Sequence, residues 1–83
     1  MRKVVQVIGV GQRKQGLAKK SGKKYDFTEI SIAYEADGVV GKKSETIAFD
    51  AAVIGDRLIA PGDTLDLVFH QANFKTYVDC IVD

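Results

Sequence analysis

A single cysteine, Cys80, rules out an internal disulfide, and a single histidine, His70, leaves no Cys/His cluster able to hold a metal. Both scarcities point to a reducing compartment, with the cytoplasm as the expected location. No apolar run approaches the roughly 18 to 20 residues of a membrane-spanning helix. The opening MRKVVQVIGV joins a basic pair to an apolar stretch, but Gln6 interrupts it, GQRKQ stops it and no small-residue cleavage site follows. It therefore reads as a strand and not as a signal peptide. One proline, 46% apolar residues and 28% charged residues argue for a folded chain over a disordered one. At 83 residues the chain forms one small domain, residues 1–83, with little stability to spare, so a second subunit is an expected source of further burial.

Acidic residues are missing from the first 25 positions, which hold eight of the twelve basic ones. The remainder carries four basic and eleven acidic residues, a balance of −7, although the whole chain is only +1. The charge concentrates in GQRKQGLAKKSGKKYDF, from Gly11 to Phe27. There Arg13, Lys14, Lys19, Lys20, Lys23 and Lys24 precede any acid and lead into the rings of Tyr25 and Phe27. Cations neutralise phosphates whatever the sequence, while exposed rings stack on unpaired bases, so the combination suits a single strand better than a duplex. A basic run is ordinarily a solvated loop, but without interleaved acid such a loop repels itself unless a polyanion relieves it. If all six cations met phosphates, the salt slope would be roughly −4, a loss of some 300-fold in affinity between about 50 and 200 mM salt.

The alternation of side chains predicts five short strands. Val4 to Val10 is β-branched and too short for a convincing helix; Gly11 to Lys24 has no sustained period and is expected to be an extended, mobile hairpin or loop with its tip at Leu17-Ala18. Tyr25 to Glu35 alternates cleanly: Thr28, Ile30, Ile32 and Tyr34 share one face, and Tyr25, Phe27, Glu29, Ser31 and Ala33 the other. Glu29 and Ser31 mark the second face as the wet one, because an unpaired carboxylate in the core is costly. Tyr25 and Phe27 then project toward solvent, or pack under a neighbouring loop.

After the Ala36-Asp37-Gly38 turn, Val39 to Phe49 is the third strand, with a bulge near Gly41. Asp50 is placed to cap a short helical turn, Ala51 to Ile54, ended by Gly55. Beyond Ala60-Pro61-Gly62, Thr64 to Phe69 presents Leu65, Leu67 and Phe69 to the core. Gln71-Ala72-Asn73 connects it to Lys75–Val82, where Thr76, Val78, Cys80 and Val82 share a face and Cys80 is expected in the core. His70 reads as a polar hairpin residue. The sum is an all-β chain, a five-stranded antiparallel OB-fold-like barrel with a protruding basic hairpin and a short helical turn; an SH3-like barrel is the alternative.

Enzymatic signatures fail. GVGQRKQG lacks the third glycine of a dinucleotide fingerprint, and GLAKKSGKK is one residue too long between glycines for a phosphate-binding loop and has Lys24 where Ser or Thr is required. The acids are scattered and His70 is alone, so neither acid–base nor metal chemistry is supported, and no cofactor, metal or small-molecule substrate is expected.

The stretch SGKKYDFTEISIAYE, with IAPGDTLDLVF and YVDCIV, resembles the gene V type of single-stranded DNA-binding protein of filamentous bacteriophages along nearly the whole chain. The shared features are a Gly-Lys-x-Tyr step into a Glu-bearing strand, an Ala-Pro-Gly turn and a hydrophobic-Asp step in the last strand. The resemblance implies an OB-fold homodimer that coats single strands cooperatively, here phage genomic DNA in the host bacterial cytoplasm during replication and before packaging. Tyr25 falls on the family's stacking tyrosine and Phe27 on an apolar residue one repeat along. The six cations occupy the hairpin region, and Phe74 falls beside an aromatic that reaches DNA alongside the partner subunit. The same last hairpin is implied to build the dimer contact. Cys80, Val82 and Asp83 stand where the family has a basic strand and tail, and Ala33 replaces an aromatic. An RNA-binding or translational-repressor module on the same surface and an SH3-like protein-interaction domain are the competing functions.

Overall fold

The valines that open the chain begin a strand that does not stop where they do. In the computed structural model, which describes all residues from Met1 to Asp83, β1 runs Arg2–Leu17. It is long enough to serve two neighbours in turn. Its first part, Arg2 to Gln6, pairs antiparallel with β4 (Thr64–Ala72); its longer remainder, Gln6 to Leu17, pairs antiparallel with β2 (Lys24–Tyr34). β3 (Lys43–Asp50) lies on the far side of β2, and β5 (Lys75–Val82) on the far side of β4, giving the order β3-β2-β1-β4-β5. Of the two forms expected for Gly11–Lys24, hairpin or loop, the structure has the paired hairpin. Irregularities between Val7 and Gly9 and between Val10 and Arg13 shift the register of β1. They erase the period of two that would have revealed the strand, while the pairing resumes beyond each one.

Each strand gives two side chains to one core: Val5 and Val7, Ile30 and Ile32, Ile47 and Phe49, Leu65 and Leu67, Val78 and Ile81. Phe49 and Ile30 are wholly buried. The alternation read for β2 and β4 holds at Ile30, Ile32, Leu65 and Leu67, and Tyr34 and Phe69 pack half-buried against the same core. Ala33 departs from it: assigned to the wet face, it is buried, seated between Gln6 and Ser44 in the ladder.

Three other expectations are corrected. The third strand starts at Lys43, because Gly38 and Gly41, with φ of 77° and 86°, hold the chain in a wider turn. The β2–β3 register is unbroken, so there is no bulge near Gly41 within it. In β5 an irregularity opposite Val68 and Phe69 inserts Asp79, which places Val78 and Ile81 inward and leaves Cys80 exposed instead of in the core.

The connection between β4 and β5 is also tighter than Gln71-Ala72-Asn73. β4 continues to Ala72, and the turn is Asn73-Phe74, both with positive φ (51° and 63°). That pattern suits a two-residue type I′ hairpin, in which glycine is the favoured second residue. A phenylalanine there costs roughly 1 to 2 kcal/mol. After β3, Asp50 accepts a hydrogen bond from the Ala52 amide at 2.9 Å and caps α1 (Ala51–Ile54), which Gly55 ends with φ of 58°. Val53 and Ile54 lay α1 against the core at one end of the sheet. The sheet curls until its two edges approach, Thr76 of β5 donating to Glu45 of β3 at 3.0 Å, but no ladder joins them.

Candidate nucleic-acid interface

β3 ends at Asp50, opposite Phe27, whereas β1 and β2 pair onward to Leu17 and Lys24. The result is a two-stranded arm beyond the sheet. Its tip is closed by Ala18 N–H to the Lys23 carbonyl and Gly22 N–H to the Ala18 carbonyl, each 2.8 Å, with Gly22 at φ 66°. All six cations of the basic stretch lie on this arm or its root, with Lys19, Lys20 and Lys23 at the tip.

Pairing decides which side chains meet. Lys14 stands opposite Phe27 and Gly16 opposite Tyr25, so these four share the arm's outer face. The Tyr25 ring lies over Gly16 so closely that a Cβ there would sit 2.6 Å from its hydroxyl oxygen and 2.8 Å from Cζ. Tyr25 remains 42% exposed, and its ring centroid is 5.8 Å from that of half-buried Phe27, tilted by 43°. The Lys14 ammonium is 6.0 Å from the Phe27 centroid and 3.6 Å from Glu29. One ring with a free face and a cation beside it can stack one base and steady its phosphate; the tilt denies a second coplanar platform.

The other face of the arm is different. The Arg13 Nε donates to Asp26 Oδ1 at 2.7 Å, its Nη2 donates to Oδ2, and Gln15 adds a third hydrogen bond to Oδ2 at 3.1 Å. These bonds hold the Asp26 carboxyl below the usual carboxylate range, the Arg13 hydrogen bond being the largest cause, and raise Arg13 in return. The basic run looks unopposed in sequence, yet folding answers Arg13 with an acid from the returning strand. Lys19, Lys20, Lys23 and Lys24 have no such partner.

Phe74 is not part of this assembly. β1 runs from the end of the sheet that carries the β4–β5 turn toward the arm, so within one chain Phe74 and Tyr25 occupy opposite ends. Phe74 is fully exposed, at 110% relative to a free residue. On the same hairpin, His70 is a polar strand residue whose Nδ1 lies 2.7 Å from Asp79 and whose ring stacks on Tyr77 at 5.3 Å.

Two participants were not singled out from the sequence, Gly16 as the seat of Tyr25 and Asp26 as the partner of Arg13. Both become visible only once the register across the hairpin is known. No group of three or more His, Cys, Asp or Glu side chains is placed to hold a metal ion. No family model, curated protein or solved structure matches the chain.

Proposed function

We propose that this chain is a non-enzymatic, sequence-independent single-stranded DNA-binding protein, working as a homodimer that coats strands cooperatively. The observation that carries the proposal is the arm: a cation-rich two-stranded projection whose outer face sets Tyr25 and Phe27 beside Lys14. Phosphates are drawn by Lys19, Lys20, Lys23 and Lys24, and a base stacks on Tyr25.

The strand order lends support. β1 is shared between β2 and β4, and the edges β3 and β5 face each other across the Thr76–Glu45 bond. That arrangement favours an OB-like reading, a fold that presents strands and their connecting loops to single strands. The resemblance to phage gene V type proteins extends the proposal to replicating phage genomes in a host cytoplasm.

Fluorescence anisotropy with labelled oligo-dT tests it, with duplex DNA and a matched RNA as competitors. Oligo-dT is expected to bind and to resist duplex. Stronger duplex binding sinks the stacking argument, and stronger RNA binding moves the assignment to an RNA-binding module.

A further inference from the structure

α1 follows the last residue of β3, and a cavity of about 210 Å³ opens toward the other end of that strand, beside Glu45 and Ile47. All five strands contribute to its wall. Val5, Ile47, Leu67 and Val78, each 9% exposed or less, form the inner part, and Tyr34 and Phe69 add two half-buried rings. For scale, an engineered apolar cavity of about 150 Å³ accepts benzene, so this one has room for a six-membered ring with one or two small substituents. The two aromatic side chains favour a flat ring over a branched alkane, because offset and edge contacts between rings add to the area they bury.

One polar group in the wall has bonding capacity left. Glu45 is half-buried and accepts from the Tyr34 hydroxyl at 3.1 Å through Oε2 and from the Thr76 hydroxyl at 3.0 Å through Oε1. A carboxylate offers about four acceptor positions, so about two remain. No Lys, Arg or His lies within ion-pair distance of it. An entering group that donates one hydrogen bond therefore finds an acceptor beside the apolar wall. A charged ligand fits less well. An anion meets Glu45, and a cation meets Lys3, which shares the wall and holds its ammonium 4.3 Å above the Tyr34 ring. A flat ring, a single donor and no net charge together describe a phenol.

We propose that this cavity binds a free, uncharged monocyclic phenol, with the ring among Val5, Ile47, Leu67 and Val78 and the hydroxyl donating to Glu45. Apolar burial holds the ring, and Glu45 selects for the hydroxyl. The site lies at the end of β1 away from the arm, so the inference is independent of strand binding.

The test uses the full chain and two ligands that differ by one hydroxyl, p-cresol and toluene. In the natural, methyl-labelled protein, p-cresol is expected to shift the Val5, Ile47, Leu67 and Val78 methyls saturably, with a dissociation constant of about 1 mM or tighter. Its ring protons are expected to give NOEs to the methyls of Ile47 and Val78. Glu45→Gln keeps the size of the side chain and removes its charge. It is expected to weaken p-cresol by about 10-fold, the low end for a hydrogen bond to a charged group, and toluene by less than about 2-fold. Should Glu45→Gln unfold the chain, the NOEs in the natural protein still decide. No saturation by about 10 mM p-cresol, NOEs to methyls elsewhere, or equal losses of the two ligands in a folded Glu45→Gln overturns the proposal. N-acetyltyrosinamide, the same ring on a peptide backbone, is expected to bind no tighter than p-cresol. Tighter binding would assign the cavity to a tyrosine of another protein and overturn the free-ligand assignment. Failure to bind oligo-dT while p-cresol still binds would remove the strand reading alone.

Discussion

The Arg13–Asp26 pair makes the salt dependence of strand binding a quantitative test of the interface. Each phosphate neutralised on a single strand adds about −0.7 to the slope of log K against log salt. Lys19, Lys20, Lys23 and Lys24 are free. Lys14 is separated from Glu29 by 3.6 Å, with both side chains about half exposed (56% and 47%), and a long exposed pair of this kind is worth little. Lys14 therefore remains available to a phosphate. Arg13 does not, because it is held through two nitrogens by a carboxylate that Gln15 also fixes.

Five available cations give a slope of about −3.5, a loss of about 130-fold between roughly 50 and 200 mM salt, against about −4.2 and 340-fold for six. Anisotropy titrations of oligo-dT at four or more salt concentrations resolve the difference. Replacing the whole pair, Arg13→Gln with Asp26→Asn, is expected to leave the slope unchanged. Lys23→Gln should reduce it to about −2.8, and Asp26→Asn alone, which releases Arg13, should raise it to about −4.2. A double variant whose slope falls as far as that of Lys23→Gln refutes the argument, because Arg13 would then be a phosphate ligand despite its partner.

The remaining predictions address the ring, the thiol and the second ion pair. Tyr25→Ala is expected to lose one base stack, about 1 to 3 kcal/mol of strand affinity, with little change in melting temperature. Gly16→Ala should lose a smaller share by lifting the ring from its seat; equal affinities for all three chains would show that Tyr25 does not stack. Cys80→Ser should change stability by no more than about 0.5 kcal/mol, and the native thiol should react with Ellman's reagent without denaturant; slow reaction would return Cys80 to the core. The Arg2 side chain donates to Asp66 at 2.9, 3.1 and 2.7 Å and, as the largest cause, lowers the Asp66 carboxyl below its ordinary 3.8. A lowered folded-state pKa means that the stabilisation is complete above the unfolded value and disappears as pH falls through the folded one. Thermal melts of Asp66→Asn against the natural chain should therefore differ near neutrality and converge in strong acid; a gap that persists in acid excludes the ionic explanation.

Strands were legible where a half-buried sheet imposes a period of two and illegible where a bulge interrupts it. Tyr25–Glu35 and Thr64–Phe69 could be read to the residue at Ile30, Ile32, Leu65 and Leu67, because these apolar positions alternate with Glu29, Ser31, Thr64 and Asp66. The same rule misplaced Cys80, because Asp79 adds one residue to β5 and reverses the phase beyond it. It also ended β1 too early, since Gly11 and Gln12, which carry no apolar signal, fall in a register break beyond which pairing resumes at Arg13. Composition located the basic stretch but could not show which cations are free, because that depends on what the returning strand places opposite. Asp26 is thirteen residues from Arg13 in sequence and bonded to it in the fold.

The distribution of charge and apolar surface over β1 divides the molecule's tasks. The arm end has cations without partners and one open ring, features that attract an anion but bury little apolar area. The opposite end has a cavity lined mainly by apolar side chains and an exposed phenyl ring, features that favour burial and respond little to salt. Raising salt should therefore weaken strand binding at the arm while leaving intact any self-association that the apolar end supports. Sedimentation in about 0.2 M and 1 M salt, without nucleic acid, checks this directly, because added salt screens ionic contacts to within a few ångströms at the higher concentration. Dissociation of a dimer at high salt would mean that ionic contacts, not apolar burial, sustain it.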